Sequence, residues 1–433
     1  MKWSNWSGLA TAEPREVYAP RSTEDVVTAV QAARAAGTTV KMTGSGHSFT
    51  AIAAPEHTLL LPQGLAGITA VDHDAMTVTA LAGTQLKTLN AELARQGLSL
   101  HNMGDIDEQT LAGAISTGTH GTGGTASGLA AQVAGFTLVT GTGEVLECSR
   151  EQNPEVFELG RVGLGALGVL VSVTFHVEPM FLLEAHERPM AWADLLAGYD
   201  DLTTEHHHVD AYWFPHTDHC MVKTNDRLDA PLSEAHPPAR LAAWVEDELL
   251  SNAVFGVLTR VGSLAPAAIP ALNGVAGQAL SERHYSDLAH KVFTSPRRVV
   301  FKEMEYAVPR AQGLDALREV RAAIDSSDWR ISFPVEIRCA PADDVALSTA
   351  FGEDVLYLAF HVPQADDHVA YFLAAERILR DHGGRPHWGK VHTRMVDDLA
   401  PAYERFDDFL ALRRRLDPDL VLDNAYLRRV LGR

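Results

Sequence analysis

Cysteine is almost missing from this chain of 433 residues. Cys148, Cys220 and Cys339 are the only three and show no C-x-x-C spacing, so neither a disulfide framework nor a zinc or iron–sulfur centre is supported. Positive charge is also scarce: 36 Lys and Arg face 56 Asp and Glu, a formal net charge of −20 at pH 7. Nucleic acids and anionic membranes are held by clustered basic residues, so neither is an expected partner. Long hydrophobic runs are lacking too. The opening M-K-W-S-N-W-S-G has no apolar core of a signal peptide. The longest apolar stretch, residues 162–175, is too short to span a bilayer and reads as a buried strand. The cytoplasm is the expected compartment. Two further absences narrow the field: no G-x-G-x-x-G follows a strand, which argues against a Rossmann dinucleotide site, and no repeat of fixed period is visible.

What the chain does have is glycine in two concentrated stretches. The first, K-M-T-G-S-G-H-S-F-T over residues 41–50, follows a helical pattern (residues 23–36) and a short β-branched run (residues 38–40). Gly44 and Gly46 permit positive φ and close backbone approach, and the amides and hydroxyls around them suit a diphosphate. His47 offers one imidazole in the same loop. The second stretch, T-L-A-G-A-I-S-T-G-T-H-G-T-G-G-T-A-S-G over residues 110–128, is too poor in large apolar side chains to build a core. Tight approach of the backbone to something bulky explains it better. Together the two stretches predict a large cofactor held by a fold other than Rossmann.

Five motifs occurring in order then carry a family likeness. T-G-S-G-H-S-F, N-M-G-D-I-D-E-Q-T-L-A-G-A-I-S-T-G-T-H-G-T-G, G-L-G-A-L-G-V-L, V-E-I-R and P-H-W-G-K resemble the flavoprotein oxidases of the vanillyl-alcohol-oxidase fold. Within that group the chain is most similar to the sugar-1,4-lactone oxidases (L-gulono- and D-arabinono-lactone) and their alditol-oxidase relatives. The resemblance implies an α+β architecture: a two-subdomain FAD-binding domain of vanillyl-alcohol-oxidase type, and a substrate domain whose antiparallel sheet covers the flavin. It also implies FAD bonded covalently through His47. The loop residues Thr43, Gly44, Ser45, Gly46 and Ser48 are expected at the cofactor, as are Gly104, Ser116, Gly118, Thr119, His120, Gly121, Val169 and Lys390.

Taken in order, the N-terminal region alternates helix and strand signals. Apolar residues recur at helical spacing over residues 23–36, and hairpins are expected at residues 68–80 and 136–148, with a helix over residues 83–95 between them. This FAD-binding domain, residues 1–179, closes near Pro179. A substrate domain over residues 180–385 follows, richer in aromatics and histidines, with a Pro- and Ala-rich insertion near residues 229–278 whose middle is expected to be helical and whose role is open. A strand from Val299, a helix (residues 313–324) and strands at residues 333–338 and 356–362 complete it. In the resembled family the tail, residues 386–433, returns to the FAD-binding domain.

The candidate reactive residues each have a plain structural alternative. Asp107 and Glu108 read as capping and first-turn charges for a helix beginning near Thr110. Asp105 falls, by the resemblance, beside the substrate where alditol oxidases carry serine, and Gly104 would leave room over the flavin for oxygen. Glu336 and Arg338, two apart on a strand, share one face; they form either a structural ion pair or, as in the family, a device that holds sugar hydroxyls and steadies negative charge near the flavin. His361 is the candidate general base or a satisfied core histidine, and the alternation of its strand does not decide which face it takes. Lys390 would supply positive charge near the flavin or a substrate oxygen. His206, His207, His208, His216 and His219 invite a metal reading, but adjacent strand residues face opposite ways, and no metal site is expected.

The expected function is FAD-dependent oxidation of an alcohol carbon of an aldono-1,4-lactone by hydride transfer to flavin N5, with dioxygen as acceptor and hydrogen peroxide as product. Alditol (polyol) oxidation, the same lactone chemistry with another acceptor, and a non-catalytic flavin- or sugar-binding protein stay as alternatives.

Overall fold

The computed structural model describes residues 1–123, 128–238, 265–295 and 299–432. The middle of the Pro- and Ala-rich insertion lies outside the described residues. Pro237 and Pro238 follow a short helical turn without regular structure, and the helix Ile269–Gln278 closes the insertion.

After a short antiparallel pair, Trp3–Ser4 with Thr11–Ala12, comes a small parallel sheet in the order Glu16–Tyr18, Thr58–Leu60, Val40–Met42. Its crossover helix Thr23–Ala35 starts where the Ser22 side chain accepts the Asp25 amide, and it buries Val26, Val30 and Ala33. An antiparallel sheet of five strands follows, in the order Val145–Ser149, Val133–Val139, Val169–His176, Thr77–Leu81, Ile68–Asp72. Both expected hairpins form. The expected strand over residues 162–175 is shorter, Val169–His176, because Leu164 and Gly165 take positive φ and turn the preceding segment into a loop. The expected helix over residues 83–95 begins later, at Leu86.

A sheet of eight strands, antiparallel throughout, makes the second half. Its order is Arg283–Leu288, Leu182–Ala191, His219–Leu228, His208–Trp213, Val335–Ala340, Val355–Pro363, Phe301–Pro309, Arg385–Pro386. Strand alternation makes the faces of its central strands unlike. One face carries Ala211, Trp213, Val335, Ile337, Leu356, Leu358, Phe360, Met304, Tyr306 and Val308, packed with the helices Trp192–Glu205, Arg310–Asp325 and Val369–Asp381 into a single core. The opposite face carries Asp210, Tyr212, Glu336, Arg338, Tyr357, His361, Glu303 and Glu305.

The tail contributes to the first half. Trp388, Phe406, Phe409, Leu412, Tyr426 and Leu427 are buried in the same core as Leu89, Leu111 and Phe157. Val345, Ala346 and Leu347, inside the sequence of the second half, are buried there too, and the Trp388 indole N–H donates to the Leu347 carbonyl at 2.8 Å. No described helix is long and apolar enough to cross a membrane.

Candidate active site

The two glycine-rich stretches meet. A Cβ placed on Gly44 would lie 2.5 Å from Thr110 Oγ1, and the Gly113 Cα is close behind, so only glycine lets the segments touch. They line one cleft, together with Lys41, Leu164, Gly165, Leu170 and Leu422. Of the residues expected at the cofactor, Thr43, Gly44, Ser45, Gly46, His47, Ser48, Ser116 and Val169 line it. Gly104, Gly118, Thr119, His120 and Gly121 do not. A Cβ on Gly104 would meet the His120 carbonyl at 2.9 Å and one on Gly121 the Met103 carbonyl at 2.2 Å. These glycines let two backbone segments pack together, and the smallness of Gly104 faces protein rather than open space.

The loop after Val40–Met42 is pinned at its ends. The Phe49 N–H donates to the Gly389 carbonyl at 2.6 Å, the Asn5 amide to the Ser48 carbonyl at 2.9 Å and the Ser45 hydroxyl to the Glu108 carbonyl at 2.6 Å. Between those points, none of the amide N–H groups of Gly44, Ser45, Gly46, His47 and Ser48 has a hydrogen-bond partner among the described residues. With Gly46 at φ +76°, this run of free amides forms a concavity suited to an anion such as a diphosphate. The His47 ring stacks on Trp6 with centroids 5.7 Å apart, its nitrogens bond to no described residue, and burial lowers its pKa below the ordinary imidazole value. The cleft lining also includes a residue that sequence reasoning missed. Lys41 is buried, donates to the carbonyls of Gly165 at 3.0 Å and Leu422 at 3.1 Å, and is brought down by desolvation to a pKa of about 7.

Gly389, which anchors Phe49, precedes Lys390, and Lys390 Nζ lies 5.1 Å from the centre of the Phe49 ring. This places the polar face of the large sheet next to the loop. Glu336 and Arg338 do share that face, at 2.6 Å. Arg338 also meets Asp210 at 2.8 Å and Asp105 at 3.7 Å, so the loop aspartate reaches the polar face of the sheet. Burial alone would favour a neutral guanidine, but these carboxylates hold Arg338 charged, its pKa above the ordinary value. His361 takes the same face, because Ala359, two residues before it, pairs with Glu336.

The strand Phe301–Pro309 adds Glu303 and Glu305, also missed. Their i, i+2 spacing in K-E-M-E-Y is the signal that V-E-I-R carries. Glu303 lies 2.5 Å from Lys390 Nζ and 3.6 Å from His361 Nε2. Burial would raise its pKa, yet Lys390 and His361 draw it down to about 2. Desolvation works against the Lys390 ammonium, and Glu303 with Glu305 outweighs it and raises that pKa. Glu305 pairs with His120 at 3.2 Å. His120, Glu305 and His387 lie within reach of one ion. However, His387 Nδ1 accepts the Gly389 N–H, which leaves the proton of the neutral ring on Nε2 and no lone pair there for a metal.

The capping expectation is corrected. The helix Leu111–Ser116 is capped by Thr110 itself, whose side chain accepts the Gly113 amide, and has no acidic residue in its first turn. Glu108 instead pairs with Lys87 at 2.5 Å, and Asp107 uses its carbonyl to accept the Lys87 amide. The histidines near residue 208 form no metal group among the described residues: His206 bonds Asp226, His208 the Thr122 carbonyl, and His216 accepts the Ile331 amide.

Known proteins resemble this chain along its whole length. A family model for an FAD binding domain matches residues 14–149 and one for D-arabinono-1,4-lactone oxidase matches residues 173–430. An L-gulono-1,4-lactone dehydrogenase of Mycobacterium tuberculosis is 37% identical over 99% of both chains. An L-gulonolactone oxidase of Bos taurus is 32% identical over 99% of this chain and 98% of its own. Among solved structures, a cholesterol oxidase of B. sterolicum superposes with a TM-score of 0.84 at 17% identity, covering 99% of this chain and 96% of that one, a likeness of fold alone.

Proposed function

The chain belongs to the D-arabinono-1,4-lactone oxidase family, within the sugar-1,4-lactone oxidase group of flavoproteins, and on that premise we propose that it oxidises an alcohol carbon of an aldono-1,4-lactone. FAD, when bound, supplies the two-electron acceptor for the hydrogen and electron pair of the carbon–hydrogen bond. The observation that carries the reading is the charged sheet face beside the amide-lined cleft, where Glu336, Arg338, His361, Lys390 and Asp105 come together from four segments.

The residues divide the work. Carboxylates of Glu336 and Asp105 accept hydrogen bonds from the hydroxyls of an uncharged, hydroxyl-rich ring, and Arg338 offers a planar fork of donors to its oxygens. Lys390 keeps a positive charge where negative charge develops, and His361 takes the proton of the reacting hydroxyl. The ring of His47, without a described partner in the cleft, is the atom set through which FAD is covalently attached. The overall reaction, lactone alcohol plus dioxygen giving ketone plus hydrogen peroxide, makes the protein an oxidase. The close packing around Gly104 and the dehydrogenase among its relatives favour a second reading, the same oxidation with another electron acceptor.

One preparation tests these points. Acid precipitation that keeps the yellow colour in the pellet supports the His47 bond; colour released to the supernatant withdraws it. A panel of L-gulono-, L-galactono- and D-arabinono-1,4-lactone with xylitol and sorbitol follows, read by peroxide and by an artificial acceptor. Turnover of alditols alone would overturn the lactone reading, and acceptor reduction without peroxide would replace oxidase by dehydrogenase.

A further inference from the structure

Glu303 and Glu305 stand two residues apart on one strand, and each faces a histidine from another segment. What differs is the second ring nitrogen. In the Glu305 pair, His120 Nε2 lies 3.2 Å from the carboxylate while Nδ1 lies 2.9 Å from the Gly121 carbonyl oxygen, which only an N–H can satisfy. The ring also stacks on Tyr357 with centroids 3.5 Å apart. Both nitrogens are engaged and the pair is closed. In the Glu303 pair, His361 stands directly across the strand pairing, with Nε2 3.6 Å from Oε1. Its Nδ1 is buried and has no hydrogen-bond partner among the described residues. The other oxygen of Glu303 is held by Lys390. This pair is open.

We propose that Glu303 is a positioning residue that keeps the His361 proton on Nε2, so that Nδ1 is the atom that accepts the hydroxyl proton of the substrate. What His361 accepts the proton from rests on the lactone-oxidation reading above; how the ring is held does not. In the step, the carbon–hydrogen bond would break with its electron pair, for which the flavin, when bound, would be the two-electron acceptor. The oxygen–hydrogen pair becomes the second bond of the carbonyl, and the proton goes to Nδ1. The imidazolium so formed presents Nε2–H to the Glu303 carboxylate, whose charge stabilises it. A separation of 3.6 Å is longer than a hydrogen bond and short enough to close when the ring gains charge.

Other groups around the ring do not replace Glu303. Glu336, from the strand on the other side, also comes within 4.8 Å of the cluster, but it is the partner of Arg338 at 2.6 Å. Lys390, from the tail, is a donor and cannot accept the Nε2 proton. Glu305 is joined to His120.

The test uses holoenzyme labelled with 15N-histidine, the His361 signals being those lost in His361→Asn. At a pH above the titration of the ring, the wild type should show a protonated Nε2 and an unprotonated Nδ1, and Glu303→Ala should give mixed tautomers. In Glu303→Gln, kcat on the lactone should fall by about 100-fold with KM within about threefold, the scale of one proton-transfer partner. The acidic limb of the kcat/KM profile should move to lower pH, because the imidazolium loses its counter-charge. A wild-type ring protonated on Nδ1, or an unshifted acidic limb in Glu303→Gln, overturns the proposal. Failure to oxidise any lactone or polyol would sink the functional reading alone, since the nitrogen shifts still decide how His361 is held.

Discussion

The cleft and the charged sheet face are neighbours built on opposite principles. The cleft is made of main chain: free amides from Gly44 to Ser48, a positive φ at Gly46, and glycines placed where a Cβ would collide. The sheet face is made of side chains, Glu303, Glu305, Glu336, Arg338 and His361, set on the alternation of a rigid ladder, with Glu336 2.6 Å from Arg338 and Glu303 3.6 Å from His361. A large anion can be gripped by backbone dipoles that need no specific side chain. Orienting a hydroxylated ring and moving its proton needs groups whose charge and pKa are set by their neighbours. The two regions should therefore fail in different ways.

The largest effect is expected on the sheet face. Arg338→Met leaves Glu336, Asp210 and Asp105 without their guanidinium. Loss of turnover of ~10³-fold and of stability by ~3–5 kcal/mol should follow with the flavin still bound, as read by steady-state kinetics, urea unfolding and flavin absorbance. Turnover within tenfold of wild type would show the pair to be structural. Gly44→Val should do the reverse, since its side chain would be driven into Thr110. Flavin content per protein should fall while the far-ultraviolet dichroism of the sheet stays; full flavin content would separate the cleft from the cofactor. A milder break of the same region is Gly46→Ala, where φ +76° costs an L-residue ~1–2 kcal/mol, measurable as a lower urea midpoint.

Acid titration offers a further break of the sheet face. Glu303 has its pKa depressed from 4.5 to about 2 in the folded chain, so the unfolded state binds the proton more readily between these values. Its contribution to stability is fully present above pH 4.5 and is lost as the pH falls toward 2. Urea midpoints stepped through that window should decline less in Glu303→Gln than in wild type. Parallel declines would mean that Lys390 and His361 do not hold this carboxylate as the geometry indicates.

Much of both regions is legible in the sequence, for different reasons. Glycines at residues 44 and 46 report a backbone requirement directly, so the loop and His47 can be located without tertiary information. Glu336 and Arg338 can be placed on one face because strand alternation is a local rule. Glu303 and Glu305 obey the same rule and stay hidden, because a pair of like charges on a strand has no visible partner until Lys390 and His120 arrive from other segments. Asp107 and Glu108 look like helix-capping charges and are not, because Thr110 itself occupies the cap and Glu108 is turned to Lys87. Lys41 gives no signal at all: a single lysine on a strand is buried only because the tail and the loop near Gly165 close over it.

The sequence by itself determined the elements, the two glycine stretches, the family and most of the charged residues, since each follows from local periodicity, backbone freedom or ordered motifs. Tertiary structure alone decided which carboxylate meets which histidine, that Gly118 to Gly121 pack against the protein rather than line the cleft, and that residues 345–347 join the core of the first half. The reason is physical. Propensity and alternation act within a few residues, whereas an ion pair, a shared core or a close backbone contact depends on segments up to hundreds of residues apart, whose meeting is fixed by the packing of the whole chain.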